Sequence, residues 1–167
     1  MMSPSREIAS AEQNRTPKSG PRRSSVPLPS GGNADQLSER SPLRVLVIDD
    51  DQDARDLLAY FLQSRGLDVH SVESAELALA ELNGFSPHVI LSDIGMPGED
   101  GYSFIRRVRA LPSPETSQLP AIAVTAFTRA EDKAMALSCG FDAHLSKPVA
   151  LPRLLEAIVD LVASRQG

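Results

Sequence analysis

The sequence is poor in features that would mark an extracellular or membrane protein. Cys139 is the only cysteine in 167 residues, so no intrachain disulfide can form. No apolar run approaches the roughly 18 residues that a membrane-spanning helix needs, and the N-terminus lacks the apolar core of a secretory signal. A Gly-x-x-x-x-Gly-Lys-[Ser/Thr] loop is also absent, which argues against a nucleotide-binding NTPase. We therefore expect a cytoplasmic protein with no membrane segment.

The composition changes sharply near Leu43. Residues 1–42 contain no aromatic residue, nine serines and six of the 13 prolines. Such a stretch cannot bury enough apolar surface to offset the entropy lost on ordering. We predict a disordered Pro/Ser-rich tail over 1–42 and one folded domain over 43–167, which is long enough for a sizeable core.

Charge is also divided between the two parts. The tail carries six basic and four acidic residues, a net charge of +2, so the chain total of −5 leaves −7 for the folded part. An acidic balance argues against direct nucleic-acid binding by the domain.

After Leu43, strand patterns alternate with helix patterns five times. Short apolar runs between turn residues predict buried parallel strands, and apolar residues at helical spacing predict packed helices. Five such units give a parallel sheet with helices on both faces. Right-handed crossovers favour a flavodoxin-like, doubly wound α/β fold of strand order 2-1-3-4-5, with the most polar strand at an edge. The predicted strands are 45–48, 68–72, 88–92, 121–124 and about 143–146. The predicted helices are about 52–65, 74–83 and 100–110, a fourth from the Thr128 cap to Gly140, and a fifth that starts with Pro152 in its first turn and has an apolar stripe from Leu151 to Val162.

Three local features of the helices carry further predictions. Asp51 is expected to cap the first helix, whose apolar face should include Leu57. Thr128 and Glu131 have the spacing of a capping box at the fourth helix. The cluster Arg106, Arg107 and Arg109 on the third helix is interpreted as a solvated face.

Ionisable and hydroxyl side chains follow the predicted strands where those strands end. Asp49 and Asp50 follow the first strand, Asp93 the third, Thr125 the fourth and Lys147 the fifth. The carboxyl ends of parallel strands meet at one edge of the sheet, so these side chains should converge. Three clustered carboxylates repel one another and require a cation. Oxygen-only ligands favour a hard ion such as Mg²⁺, or Mn²⁺.

This set of residues is suited to phosphoryl transfer. A carboxylate such as Asp93 can attack phosphorus and form an acyl phosphate, provided that a cation beside Asp49 and Asp50 neutralises the charge. Lys147 can hold another phosphoryl oxygen as a point charge, and the Thr125 hydroxyl can donate to a third. Catalysis would then consist mostly of positioning and charge stabilisation.

Four segments closely resemble receiver domains of bacterial two-component response regulators. The resemblance covers about 43–165, and five functional positions agree in identity, order and spacing. The segment Gly-Phe-Asp-Ala-His-Leu-Ser-Lys-Pro is most similar to receivers of hybrid histidine kinases. The four segments are Val47–Asp51, Ser92–Gly101, Ala123–Ala126 and Leu145–Pro148.

The resemblance implies a role for each acidic residue. Asp93 would be the phosphorylated aspartate. Asp50 would bind Mg²⁺ directly, together with Asp93 and the Gly95 backbone carbonyl, and Asp49 would act through water.

The resemblance also implies how phosphorylation is sensed. Thr125 and Lys147 match the phosphoryl-sensing hydroxyl and lysine, and a cis peptide is expected between Lys147 and Pro148. The switch position, usually Tyr or Phe, holds His144 here, a smaller ring whose charge can change near neutral pH. Gly95 and Phe127 occupy the positions that tune dephosphorylation. Because neither can orient a water through a polar side chain, we expect a fairly long-lived acyl phosphate.

The resemblance therefore favours a signalling switch rather than an enzyme. The phosphoryl donor would be a histidine kinase or a histidine phosphotransfer protein, and the readout a surface change on the fourth helix, fifth strand and fifth helix. Because the sequence ends at Gly167, we expect the signal to pass to a separate protein, back to a kinase, or through a homodimer.

Two other functions remain open at this point. A haloacid-dehalogenase-like phosphatase would use Asp49 as nucleophile within an Asp-x-Asp pattern. However, Gln52 and Asp53 continue that motif poorly, and no acidic pair follows Lys147. A receiver-like binding module that is never phosphorylated is the other alternative, against which the complete set of reactive residues speaks.

Overall fold

A computed structural model of the protein describes residues 41–166. The predicted tail falls outside these residues, apart from Ser41 and Pro42. In this described part of the chain, five parallel strands form one sheet of order β2-β1-β3-β4-β5, which confirms the predicted topology. The strands are β1 (Arg44–Ile48), β2 (Asp68–Val72), β3 (Val89–Ser92), β4 (Ala121–Thr125) and β5 (Ala143–Ser146).

Helices cover both faces of the sheet, as the doubly wound fold requires. Successive residues of a strand face opposite sides, so Leu46 and Ile48 pack in one core layer while Val45 and Val47 pack in the other. The helices are α1 (Gln52–Ser64), α2 (Ala75–Phe85), α3 (Gly101–Arg109), α4 (Ala130–Cys139) and α5 (Leu151–Gln166), and a short helical turn, Pro114–Ser117, precedes β4. The first layer contains residues of α2, α3 and α4, and the second contains residues of α1 and α5.

The helix termini confirm one predicted cap and correct another. The Asp51 carboxylate accepts the backbone N–H of Asp53 at 2.9 Å and caps α1. The predicted capping box at Thr128 was wrong by one residue. Helix α4 begins at Ala130, and the Arg129 N–H donates to the Asp132 carboxylate at 3.0 Å.

Two side chains lie in other environments than predicted. Leu57 is 55% exposed, because α1 buries the narrower stripe of Leu58 and Leu62 against the sheet. The solvated-face interpretation was wrong for Arg109, whose side chain is only 22% exposed and donates to loop carbonyls beneath α3. Among residues 41–166, no helix combines the length and the apolar character needed to cross a bilayer.

Candidate functional site

Three carboxylates meet at the carboxyl end of the sheet. Ile48 of β1 pairs with Ser92 of β3, so the next residue of each strand, Asp49 or Asp93, lies beside the other. One carboxylate oxygen from each of Asp49, Asp50 and Asp93 lies within 4.8 Å of the others. Asp49 is 2% and Asp93 9% exposed, whereas Asp50 faces solvent.

Lys147 brings an ammonium group into this acidic cluster from β5, on the far side of β4. Its Nζ lies 2.6 Å from Asp49 Oδ2 and 3.1 Å from Asp93 Oδ2. The Lys147 backbone N–H donates to the Thr125 carbonyl at 2.9 Å, which fixes the base of the side chain against β4. The Lys147–Pro148 peptide is cis, as the resemblance implied.

The electrostatics of the cluster leave an excess of negative charge. Burial raises the pKa of Asp49 above its usual value, although the hydrogen bond from Lys147 opposes this shift. Burial alone would lower the pKa of Lys147, but the hydrogen bonds and charges of Asp49 and Asp93 outweigh it and raise that pKa. Among residues 41–166, one ammonium pairs with this cluster of three carboxylates, so a net negative charge remains that a bound cation would neutralise. The all-oxygen donor set of the cluster fits a hard divalent ion.

The Asp93 carboxylate is held in a fixed orientation. Its Oδ1 accepts the backbone N–H of Ile94 at 2.6 Å and that of Gly95 at 3.3 Å, while Oδ2 faces Lys147. Gly101 brings α3 close beneath this loop, because a Cβ at that position would collide with the backbone of Asp93 and Ile94. The loop is therefore braced by the helix that follows it.

Two hydrogen bonds link Thr125 to His144 through Phe127. Buried Thr125 accepts the Phe127 N–H on its hydroxyl oxygen at 3.2 Å. The Phe127 carbonyl accepts a hydrogen bond from His144 Nε2 at 3.0 Å, so this nitrogen carries the hydrogen. The Phe127 ring covers Gly95, where a Cβ would lie 3.0 Å from Cζ.

Four of the predicted site residues lie together at this edge of the sheet. Asp49, Asp50, Asp93 and Lys147 form one cluster, while His144 meets the loop after β4 rather than the cluster. No sequence pattern predicts the Phe127–His144 hydrogen bond, because it joins residues 17 apart through a backbone carbonyl.

Comparison with protein families identifies a match over residues 45–159 to the response regulator receiver domain. An uncharacterized 14.6 kDa protein of Leptolyngbya boryana is 48% identical over 105 residues, which are 63% of this chain and 79% of that protein. The sensor histidine kinase RcsC of Escherichia coli is 37% identical over 138 residues, 83% of this chain. Hybrid signal transduction histidine kinase D of Dictyostelium discoideum is 34% identical over 72% of this chain. The chain spans only 14% and 8% of the length of these two kinases.

Solved structures agree with this match. A putative response regulator from Chloroflexus aurantiacus superposes with a TM-score of 0.69 at 30% identity, covering 73% of this chain and 98% of that one. The chemotaxis protein CheY4 of Vibrio cholerae gives a TM-score of 0.67 at 28% identity, covering 72% and 98%. With the family match extending from β1 into α5, the chain belongs to the receiver domains of response regulators, modules of two-component signal transduction.

Proposed function

We propose that this receiver domain is a phospho-acceptor switch in which Asp93 takes a phosphoryl group from a phosphohistidine. An Asp93 carboxylate oxygen forms a bond to phosphorus as the phosphorus–nitrogen bond breaks, and the imidazole leaves with the electron pair. The observation that carries the proposal is the Lys147 ammonium, 3.1 Å from Asp93 Oδ2 within a cluster of three carboxylates.

The acidic cluster would hold Mg²⁺ or Mn²⁺. Asp50, Asp93 and the Gly95 backbone carbonyl would bind the ion directly, and Asp49 would bind it through water. Once bound, the ion would neutralise the charge between the carboxylate and the incoming phosphoryl group. The backbone N–H groups of Ile94 and Gly95 keep the Asp93 carboxylate in place for the attack.

Lys147 and Thr125 would stabilise the product. The ammonium already lies beside Asp93, so it can pair with a phosphoryl oxygen without a large movement. The Thr125 hydroxyl oxygen accepts the Phe127 N–H, and its own hydrogen remains able to donate to the phosphoryl group.

His144 would report this change to the surface formed by α4, β5 and α5. A shift of Thr125 towards the phosphoryl group pulls on Phe127, whose carbonyl is bonded to His144. The variant His144→Phe removes that hydrogen bond and keeps an aromatic ring. We expect it to accept the phosphoryl group normally but to show smaller beryllofluoride-induced NMR shifts in α4 and β5. Unchanged shifts would remove His144 from the switch.

The phosphoryl donor would be a histidine kinase or a histidine phosphotransfer protein in the cytoplasm. Support comes from the histidine kinases among the relatives and from apolar side chains exposed on α1 near the site. Leu57 is 55% and Tyr60 76% exposed, and Leu57 also lines a shallow pocket together with Val149 and Lys147. Exposed apolar groups of this kind mark interaction surfaces. The α4-β5-α5 surface would bind an output partner or a second copy of the chain.

The phosphatase interpretation is not favoured. Both oxygens of Asp49 are already engaged, Oδ1 by the Asp51 N–H at 2.9 Å and Oδ2 by Lys147. At 2% exposure, this carboxylate is poorly placed to attack a phosphate ester.

Phosphoryl uptake from phosphoramidate, a small donor with a phosphorus–nitrogen bond, tests the proposal. With Mg²⁺ present, the wild-type protein should gain one phosphoryl group by intact mass, while Asp93→Ala should gain none. Equal uptake by both proteins, or none by the wild type under any divalent-ion condition, would contradict the proposal.

A further inference from the structure

Strand β5 is an edge strand whose own sequence specifies its position weakly. Within residues 41–166 it pairs only with β4, and Ala143, His144 and Leu145 are half-buried while Ser146 is exposed. A strand without a strongly apolar face is prone to slip in register. Because Lys147 follows directly after β5, the position of its ammonium depends on this register.

Asp142, the residue before β5, makes two hydrogen bonds to the first residue of β4. The Asp142 N–H donates to the Ala121 carbonyl at 2.8 Å, and Asp142 Oδ2 accepts the Ala121 N–H at 2.9 Å. At the other end of the strand, the Lys147 N–H donates to the Thr125 carbonyl. The hydrogen bond from the Ala121 N–H to the Asp142 side chain adds a contact that the backbone pairing of β4 and β5 alone would not provide.

Two arginines from different helices hold the Asp142 carboxylate. Arg109 at the end of α3 donates to Oδ2 at 3.1 Å, and Arg165 near the end of α5 donates to Oδ1 at 2.6 Å. The side chains of Asp142 and Arg109 are each 22% exposed, so this ion pair is partly shielded from water and salt. Arg109, Asp142 and Arg165 are called the Asp142 clamp below.

The arginines of the clamp are themselves fixed by backbone carbonyls. Arg109 donates to the carbonyls of Gly140 and Leu119 at 2.9 and 2.7 Å, and Arg165 donates to that of Gln118 at 2.6 Å. Gly140 allows the close approach, since a Cβ there would lie 2.8 Å from Arg109 Cγ. The clamp thus ties the start of β5 to α3, to α5 and to the loop before β4.

We propose that Asp142 is a positioning residue, and that the Asp142 clamp sets the register of β5 and thereby places the Lys147 ammonium beside Asp93. A slip of one residue would move the chain by about 3.3 Å and turn each side chain to the opposite face. That displacement is as large as the 3.1 Å separation of Lys147 Nζ and Asp93 Oδ2. The functional meaning of this placement rests on the role proposed above for Asp93 and Lys147.

A spectroscopic test needs no phosphoryl donor. The chain has three lysines, Lys18, Lys133 and Lys147, so ¹³Cε/¹⁵N-lysine labelling gives a simple spectrum. We expect Asp142→Ala to move the Lys147 signal towards that of solvent-exposed Lys133, because the ammonium leaves its carboxylates. Asp142→Asn keeps one acceptor for the Ala121 N–H but loses the charge that both arginines bind, so it should move the Lys147 signal less than Asp142→Ala does.

The matched control is Asp68→Ala, which removes an exposed aspartate from the first position of the other edge strand, β2. It should leave the Lys147 signal unchanged. Each variant is measured below its unfolding transition, as checked by circular dichroism. Should Asp142→Ala fail to fold, Arg165→Gln removes the more exposed cation of the clamp and should give a smaller shift in the same direction.

A double-mutant cycle links the clamp to the reaction. Since misplacement of a reacting group by about 1 Å can cost on the order of 100-fold in rate, Asp142→Ala should slow phosphoryl uptake from phosphoramidate at least about tenfold. In a Lys147→Gln background, the same change should have little further effect, because the ammonium it positions is gone.

The outcomes separate this inference from the proposed function. An unmoved Lys147 signal in Asp142→Ala, or in Arg165→Gln if only that variant folds, overturns the clamp's role even if the wild type is phosphorylated. An equal loss of rate in both backgrounds also overturns it, as does a shift of the Lys147 signal in Asp142→Asn that is as large as the shift in Asp142→Ala. Conversely, a wild type that takes up no phosphoryl group contradicts the proposed function, while the lysine spectrum still decides the positioning role.

Discussion

Lys147 Nζ lies 2.6 Å from Asp49 Oδ2, although 98 residues separate them in the sequence. The Asp49 side chain is only 3% exposed, so its carboxylate relies on the Lys147 ammonium and the Asp51 N–H for hydrogen bonds rather than on water. The same ammonium reaches Asp93 at 3.1 Å. The Lys147–Asp49 ion pair therefore makes the stability of the domain depend on Lys147, the residue proposed to sense the phosphoryl group.

The variant Lys147→Met should destabilise the protein near neutral pH by about 3 kcal/mol, because it leaves a buried carboxylate without its partner. Burial already raises the pKa of Asp49, so the Asp49 carboxylate binds a proton more tightly in the folded state than in the unfolded state. Losing the ammonium raises that pKa further. As the pH falls towards about 4, Asp49 becomes protonated in the variant and the difference from wild type should shrink.

Urea unfolding of both proteins across this pH range, in the presence of EDTA, measures the difference. Lys133→Met, at an exposed position of α4, is the control and should change the unfolding free energy by less than about 0.5 kcal/mol. A pH-independent loss in Lys147→Met would show that the ammonium does not compensate Asp49.

Addition of Mg²⁺ should stabilise the wild-type protein, because the ion would bind only the folded arrangement of the carboxylates. At ten times its dissociation constant, the gain should be about 1.4 kcal/mol. Asp50→Asn removes one carboxylate of the cluster and should lose most of this gain. Asp56→Asn, an exposed residue of α1, should retain it. Thermal unfolding with Mg²⁺ or EDTA provides the comparison, and equal gains in both variants would place the ion elsewhere.

Much of the fold follows from short-range patterns. The runs ending at Ile48, Ser92 and Thr125 are largely apolar because both faces of a central parallel strand are covered, and these strands were predicted to within one residue at each end. The crossover rule then leaves few strand orders, and the observed one was among them. The convergence of Asp49, Asp93 and Lys147 follows from that order, because parallel strands end at one edge.

Other contacts could not be predicted because no periodicity encodes them. Asp142 meets Arg165 and Arg109 at separations of 23 and 33 residues, and neither helix pattern distinguishes these arginines from solvated ones. Leu57 satisfies the apolar spacing of α1 yet remains exposed, because the sheet covers a narrower face of the helix than the spacing allows. Such features depend on how the helices pack against the sheet, which a local sequence pattern does not specify.

Two glycine substitutions should change stability in opposite directions. Gly84 lies within α2, and a Cβ there would meet no atom within 4 Å, so Gly84→Ala should stabilise the protein by about 0.5 kcal/mol. Gly140 has a φ of +130° and faces Arg109, so Gly140→Ala should destabilise it by about 2 kcal/mol or more. Chemical unfolding of each variant gives the values. A neutral Gly140→Ala would mean that α4 ends differently from the arrangement described.

The Phe127 ring should protect the acyl phosphate, since it covers Gly95 beside the proposed acceptor. We expect a fairly long-lived phosphorylated form in the wild type and a several-fold shorter lifetime in Phe127→Ala, because water gains access to the acyl group. Met135→Ala, which truncates an exposed side chain on α4, is the matched control. Intact mass followed over time after removal of the donor measures the lifetimes. A wild-type half-life of seconds, or no change in Phe127→Ala, would contradict this role.

The most direct measurement of the central claim locates the phosphorylated residue. The protein is incubated with phosphoramidate and Mg²⁺, the acyl phosphate is reduced with borohydride, and the modified residue is identified by peptide mass mapping. The account predicts that Asp93 alone is converted to homoserine in the wild type, and that no carboxylate is converted in Asp93→Ala. Conversion at Asp49, or absence of any reduced residue after the wild type has been treated, would contradict it.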